Sequence, residues 1–222
     1  DILGFAVSND KGTYYFPYET AIVSDVFKKW VEDESSKKSV FDAKKSIVAL
    51  HKRGINLKGI DFDLFISSYV LNPADSGEDL AAIVNKVLGT SVQSDEAFYG
   101  KGAKRAVPGE EALSQHLANK ALALYEIKDR MVKNLEENEQ LKLVEELELP
   151  LSLILAEMEI EGVKVDHETL QKMQEEMAVK LTQIEKEIYE LAGETFNINS
   201  PKQLGVILFE KLNLPVIKKT KT

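Results

Sequence analysis

Two short apolar and aromatic runs, at 2–7 and 13–17, flank the polar turn Asn9-Asp10-Lys11-Gly12 and predict a β-hairpin. From 19 to 31 the spacing turns helical, with Val23, Phe27 and Trp30 or Val31 on one face. A short strand at 39–41 leads into a helix over 42–52, with Ile47 and Leu50 inward and Gly54 as its stop. A strand at 60–62 and a helix at 63–71 follow, the helix ending before Asn72-Pro73. Another helix spans 78–88 up to Gly89, a Gly/Lys/Arg loop covers 100–108, and 110–147 reads as one long helical stretch. Beyond it come helices at 150–160 and 166–192. In the second, Leu170, Met173, Met177, Leu181, Ile184, Ile188 and Leu191 step by three or four, so one side is expected to pack on another helix. Strands first and helices afterwards predict a small mixed sheet with helices against it, then a helical unit. The join is placed at 146/147, within a helix-rich stretch.

Composition narrows this reading. The 222 residues are 44% hydrophobic and 29% charged, which describes a globular chain. With no cysteine, neither a disulfide nor a thiolate metal site can form, which fits a reducing cytoplasm. No apolar run is long enough to span a membrane, and no signal peptide is recognisable. The chain starts at Asp1 without Met and stops in a lysine tract, so it reads as a piece of a longer protein.

Charge is distributed unevenly. The net charge is −9, yet residues 197–222 hold five lysines and one acid, leaving −13 on the remainder. This basic end includes Ser200-Pro201-x-Gln203: a hydroxyl cap, proline at the first helical position, and glutamine three residues on. Helix N-termini present unpaired N–H groups and a positive dipole end, which suit a phosphate. Capping alone and solvated lysines are the plainer explanation of the same residues.

The string FNINSPKQLGVILFEKLNLPVIKKTKT resembles the thumb of bacterial family A DNA polymerases (the DNA polymerase I family). The resemblance continues through LPLSLILAEMEIEGVKVD at 149–166 and FDLFISSYVLNP at 62–73 and covers essentially the whole chain, with the greatest likeness to Bacillus-type enzymes. It implies a ribonuclease-H-like α/β exonuclease-type domain over 1–146, lacking its first strand, followed by the all-helical beginning of a polymerase domain over 147–222. The implied DNA-binding residues are Asn197, Asn199, Ser200 and Lys202 in and after the turn, and Lys218, Lys219 and Lys221 behind the helix. Contacts of this kind grip the backbone of primer–template duplex and read no sequence.

The resemblance also implies two Mg²⁺ ions held by carboxylates in active exonuclease members, since Mg²⁺ takes oxygen ligands and a metal pair steadies the attacking and leaving oxygens. The first acid pair of the family's pattern lies on a strand before Asp1. Counting back from Gly54-Ile55-Asn56-Leu57-Lys58-Gly59 puts Ser46 where a metal-binding Asp belongs and Lys45 where a Tyr stands. The late Tyr-x-x-x-Asp motif reads His116-Leu117-Ala118-Asn119-Lys120, so His116 replaces the Tyr and Lys120 the Asp. A lysine brings positive charge to a cation's place. The expectation is a vestigial exonuclease without catalytic residues or bound cofactor, and a fragment that does not itself polymerise. Mg²⁺ belongs to the parent polymerase, whose palm and fingers would be partners within one polypeptide. The parent is expected to be a cytoplasmic, nucleoid-associated bacterial monomer.

Other charged groups have plainer readings. Asp63 caps the helix behind it, and Glu110-Glu111 and Glu136-Glu137 are solvated helix faces. His51, His116 and His167 form no cluster with metal spacing, and Gly100-Lys101-Gly102 lacks the context of a phosphate loop. Two basic stretches, Lys44, Lys45, His51, Lys52, Arg53 and Lys58, and Lys101, Lys104 and Arg105, are surface charge or touch a single strand or a neighbouring domain. A working exonuclease using the upstream acid pair with substitutes such as Asp42 or Asp63, and a protein-interaction module, are the alternatives.

Overall fold

The computed structural model describes residues 2–75 and 79–215, so Lys218, Lys219 and Lys221 lie outside the described residues. Strands β1 (Gly4–Asn9) and β2 (Gly12–Pro17) pair antiparallel, with Val7 opposite Tyr14. Their turn is set by Asn9, whose Oδ1 accepts N–H bonds from Lys11 at 2.9 Å and Gly12 at 3.2 Å. The single helix expected over 19–31 is two, α1 (Tyr18–Ile22) and α2 (Asp25–Glu32). Ser24 breaks the run: it is extended, and its Oγ accepts the Phe27 N–H at 3.3 Å to start α2 afresh.

Strand β3 (Lys38–Val40) leads through α3 (Ala43–His51) to β4 (Ile60–Asp63), which pairs parallel to β3. The described strands therefore form two two-stranded ladders, where the pattern suggested one small mixed sheet. Lys38 fastens the approach to β3. It is 6% exposed, and its Nζ donates to the carbonyls of Asp33 at 2.9 Å, Ser36 at 2.6 Å and Lys58 at 2.9 Å. The Trp30 ring lies 5.3 Å from the ammonium. Gly59 closes this corner at φ 71°, where a Cβ would fall 2.5 Å from the Ser36 carbonyl oxygen.

Helices α4 (Leu64–Leu71), α5 (Leu80–Leu88) and α6 (Asp95–Tyr99) precede the long α7 (Glu110–Glu137). α7 packs against β1, β2 and β3 and against α4 and α5. The main core lies along it, with Ala123, Ile127 and Met131 set against Phe62, Leu64, Leu80, Ile83 and Val84. A smaller core joins Val31, Leu50 and Ile55, with Phe5 and Phe27 packed on it.

The long helical stretch ends ten residues before 147, at Glu137. Glu139, at φ 58°, turns the chain, and the Gln140 N–H bonds the Leu135 carbonyl at 2.8 Å. Helix then resumes as α8 (Leu141–Leu143), widens into a π turn at Val144–Glu148 and continues as α9 (Leu149–Glu161). Pro150 accounts for the widening, since it has no N–H for the carbonyl four residues back and its ring crowds that turn. α9 packs against α3. The compact units accordingly divide between Gly162 and Val163, past the join read at 146/147.

The second unit holds α10 (His167–Ala192), α11 (Pro201–Gly205) and a π turn at Val206–Lys211. Asp166 starts α10 by accepting the Thr169 N–H, and Gly193 ends it at φ 72°. Along its stripe Leu170, Met173, Met177, Leu181 and Ile184 are exposed, so the expected helix packing over 170–184 is not seen among the described residues. Among the described residues, no helix is long and apolar enough to cross a membrane.

Candidate functional site

The residues read as degenerate exonuclease positions fall on two helices, Ser46 on α3 and His116 and Lys120 on α7. His116 and Lys120 are one turn apart on α7 and meet the same partner, Asp95, the first residue of α6. The His116 Nε2–H donates to Asp95 Oδ1 at 2.9 Å. The Lys120 Nζ donates to Oδ1 at 2.7 Å and Oδ2 at 2.9 Å, so one ammonium spans both carboxylate oxygens. The His116 ring is stacked flat on Phe98, with centroids 4.0 Å apart and planes 8° apart, and Tyr99 meets its edge. The His116 side chain is 3% exposed and that of Asp95 46%. Burial disfavours the Asp95 charge, but the bonds from Lys120 and His116 together outweigh it and hold the carboxyl below the usual carboxylate range.

Asp95 was not singled out in the sequence. Its signal was the string Ser94-Asp95-Glu96 before Ala97-Phe98-Tyr99, a hydroxyl cap followed by acids in a first helical turn. A five-residue helix gives no periodicity to notice, so the segment reads as loop.

Ser46 is placed on α3 and faces its own helix: its Oγ–H donates to the Asp42 carbonyl at 2.9 Å. The nearby carboxylates are also committed to backbone. Asp42 Oδ1 accepts the Lys45 N–H at 3.0 Å. Asp63 is 1% exposed and accepts N–H bonds from Asp42 at 3.0 Å, Ala43 at 2.7 Å, Phe65 at 2.8 Å and Ile66 at 3.4 Å. Its burial raises the carboxyl pKa, with those four donors pulling the other way.

These residues do not fit a divalent cation. Ser46 offers a neutral hydroxyl already bonded, Lys120 brings a positive charge, and Asp63 and Asp42 hold backbone N–H groups. Among the described residues no group of three or more His, Asp or Glu side chains is arranged to hold a metal.

The turn before α11 is organised from within. Ser200 Oγ accepts the Gln203 N–H at 3.4 Å and Pro201 occupies the first turn, as the pattern indicated. The Gln203 side chain does not return to the Ser200 N–H as a capping box would; its Oε1 takes the Asn197 N–H at 2.8 Å. Asn197 Oδ1 in turn accepts the Asn199 N–H at 3.0 Å, and the Asn197 carbonyl accepts the Ser200 N–H at 2.9 Å. Acceptors are thus used inside the turn, while the side-chain amide and hydroxyl donors of Asn197, Asn199 and Ser200 are the groups that suit an anion. Asn199, Ser200 and Lys202 share this short stretch at the surface. The Lys211 ammonium pairs with Glu194 at its other side.

The two basic stretches are partly occupied. Lys44 pairs with Glu159 of α9 at 2.5 Å, Lys101 pairs with Glu96 at 3.2 Å, and the Arg105 guanidinium lies 5.6 Å from the Tyr99 ring. Lys128 of α7 pairs with Asp61 at 3.0 Å, which accounts for the second acid flanking Phe62.

Comparison with known proteins matches residues 1–127 to the DNA polymerase I ribonuclease H-like domain and residues 167–222 to DNA polymerase family A. The chain is 55% identical over 221 residues to DNA polymerase I of Bacillus subtilis, covering 100% of this chain and 25% of that protein. It is 52% identical to DNA polymerase I of Bacillus caldotenax and 49% to that of Geobacillus stearothermophilus, with the same coverage. It therefore spans about a quarter of the length of these relatives. Among solved structures it is similar to the POL domain of Pol1 from M. smegmatis in complex with DNA primer-template and dNTP. The TM-score is 0.70 at 26% identity, covering 97% of this chain and 35% of that one.

Proposed function

This chain belongs to the DNA polymerase I family, the family A DNA polymerases, and from that premise we propose that it is the exonuclease-like and early thumb portion of a DNA-directed DNA polymerase acting in replication and repair. Its first unit is a catalytically silent proofreading domain that supports the polymerase. The residues around the turn at 197–200, with Lys202, Lys218, Lys219 and Lys221, bind the sugar-phosphate backbone of primer–template duplex. Polymerisation itself, with its Mg²⁺, belongs to palm and fingers outside this chain. The parent works as a monomer on the nucleoid of a bacterial cytoplasm.

The observation that carries the silent-exonuclease reading is the Lys120–Asp95 pair. An ammonium bridging both oxygens of a carboxylate competes directly with any divalent cation for that carboxylate. Asp63 and Asp42, the acids a working site would draw on, are engaged by backbone N–H groups. The exonuclease-like domain is proposed to cover 1–146 with its first strand supplied from upstream.

The test uses a 5′-labelled single strand with Mg²⁺ or Mn²⁺ and a version of the chain extended upstream by one strand. No shortening from the 3′ end is expected. Metal-dependent shortening, abolished by replacing a named acid, overturns the silent-exonuclease reading. The thumb reading is tested separately through Lys218, Lys219 and Lys221, each changed to Ala. Duplex affinity should fall, and the log–log salt slope should flatten by up to about 2.7 for three phosphates. An unchanged slope removes these lysines from the interface.

A further inference from the structure

We infer that the Lys120 ammonium is a resident counter-cation: against both oxygens of Asp95, the carboxylate that His116 also bonds, it takes the place a divalent metal ion would need, and makes the α6–α7 junction independent of metal. This deepens the reading of the first unit as catalytically silent, but its argument rests on the local geometry.

The cluster has two of the three ligands that a transition-metal site requires. His116 Nε2 and Asp95 Oδ1 are 2.9 Å apart, and His116 is fixed in orientation by its stack on Phe98. Asp95 is half-exposed, so the seat opens to solvent. The third place is held by Lys120, whose nitrogen lies 2.7 and 2.9 Å from the two oxygens of Asp95, as a bidentate cation would lie. The ammonium supplies the neutralising charge and the hydrogen bonds together. If the ammonium were replaced by a carboxylate, the set would become one imidazole and two carboxylates, with His116 and position 120 on α7 and Asp95 on α6. Neutral imidazole in its other tautomer can then turn the Nε2 lone pair toward a metal.

The experiment is Mn²⁺ titration of the whole chain, followed by electron paramagnetic resonance and by thermal melting, for wild type, Lys120→Asp, and Lys120→Asp with Asp95→Asn. Wild type should show no Asp95-dependent Mn²⁺ binding and no metal-linked rise in melting temperature. Lys120→Asp should bind one Mn²⁺ and melt roughly 3–6 °C higher when free metal is ten times its Kd. The added Asp95→Asn change should abolish both effects. Lys120→Met serves as the folding control and should melt below wild type with or without Mn²⁺. If Lys120→Asp does not fold alone, folding regained on adding Mn²⁺ supports the inference. Failure to regain it while Lys120→Met is folded overturns it, as does a folded Lys120→Asp that ignores Mn²⁺ or a wild type that binds Mn²⁺ through Asp95. Shortening of a DNA strand in the exonuclease assay would remove the silent-exonuclease reading without touching this result.

Discussion

The carboxylate of Asp63, at the end of β4, accepts the Ala43 N–H at 2.7 Å and so ties the first turn of α3 to the strand that precedes α4. Its other oxygen takes the Phe65 N–H at 2.8 Å, capping α4. One side chain therefore caps α4 and holds the start of α3, from a position with 1% exposure. Asp63→Ala removes the α4 cap and the bonds to the Asp42 and Ala43 N–H groups, while Asp42 still caps α3. The expected loss is about 2–4 kcal/mol, read as a lower urea midpoint with unchanged slope. A loss within the error of the measurement would show that these bonds of Asp63 are geometric only.

Part of this was legible beforehand. Asp63 as a cap, Ser200 as a cap, Gly89 and Gly193 as helix ends and the turn at Asn9 all follow from local chemistry that acts over three or four residues. The partners that lie far along the chain were not legible. Asp63 reaching Ala43, Asp95 reaching Lys120, and Lys38 reaching the Lys58 carbonyl all join residues about twenty or more apart, and no periodicity signals such a pairing. The substitutions at Ser46, His116 and Lys120 were visible by position. What the sequence left open was where the Lys120 charge would go, because its partner sits on a helix too short to show a pattern. The apolar stripe of α10 predicts a face packed on another helix, yet its residues from Leu170 to Ile184 are exposed, because spacing alone does not say whether an apolar face is covered.

Asp95 gives the first unit a pH-dependent contribution with a defined sign. Its folded-state pKa lies below the ordinary carboxylate value, since the bonds from Lys120 and His116 outweigh its burial. The unfolded chain therefore binds more protons in the interval between the two values, and stability rises with pH there. The contribution is full above the unfolded value, near 3.8, and is lost as pH falls through the folded one. Wild type should be more stable than Asp95→Asn near neutrality, and the difference should shrink as pH is lowered through that window. A difference that stays constant from neutral to acidic pH would mean that the ion pair contributes nothing beyond packing.

Lys38 is a buried cation whose hydrogen bonds all go to backbone carbonyls, with the Trp30 ring beside it. Burial lowers its pKa, while Asp33 and Glu34 pull it back up. Lys38→Met keeps most of the side-chain volume but leaves the carbonyls of Asp33, Ser36 and Lys58 without their shared donor. The expected cost is about 2–3 kcal/mol. The effect should also be local: amide exchange should accelerate first around 33–38 and 58–59, before the amides of α7 respond. Lys38→Arg should not restore stability, because the planar guanidinium is larger than the ammonium that three carbonyls surround at 2.6–2.9 Å. Uniform acceleration across the unit would show that the cage is not a separate fastening.

Gln203 separates shape from charge in the proposed duplex contact. Its Oε1 holds the Asn197 N–H at 2.8 Å, and its own N–H bonds Ser200 Oγ. It carries no charge and is not proposed to touch a phosphate. Gln203→Ala should leave the helix cap in place while loosening Asn197 and, through the Asn197 Oδ1 bond, Asn199. Losing one such bond corresponds to roughly 2- to 10-fold weaker duplex binding. Because no phosphate neutralisation is lost, the salt slope should match wild type, in contrast to the lysine replacements. Affinity measured by fluorescence anisotropy across a salt series reads both quantities at once. Weaker binding at unchanged slope supports a preorganised turn that positions neutral donors on the backbone, whereas unchanged affinity would leave the lysines as the whole of the contact.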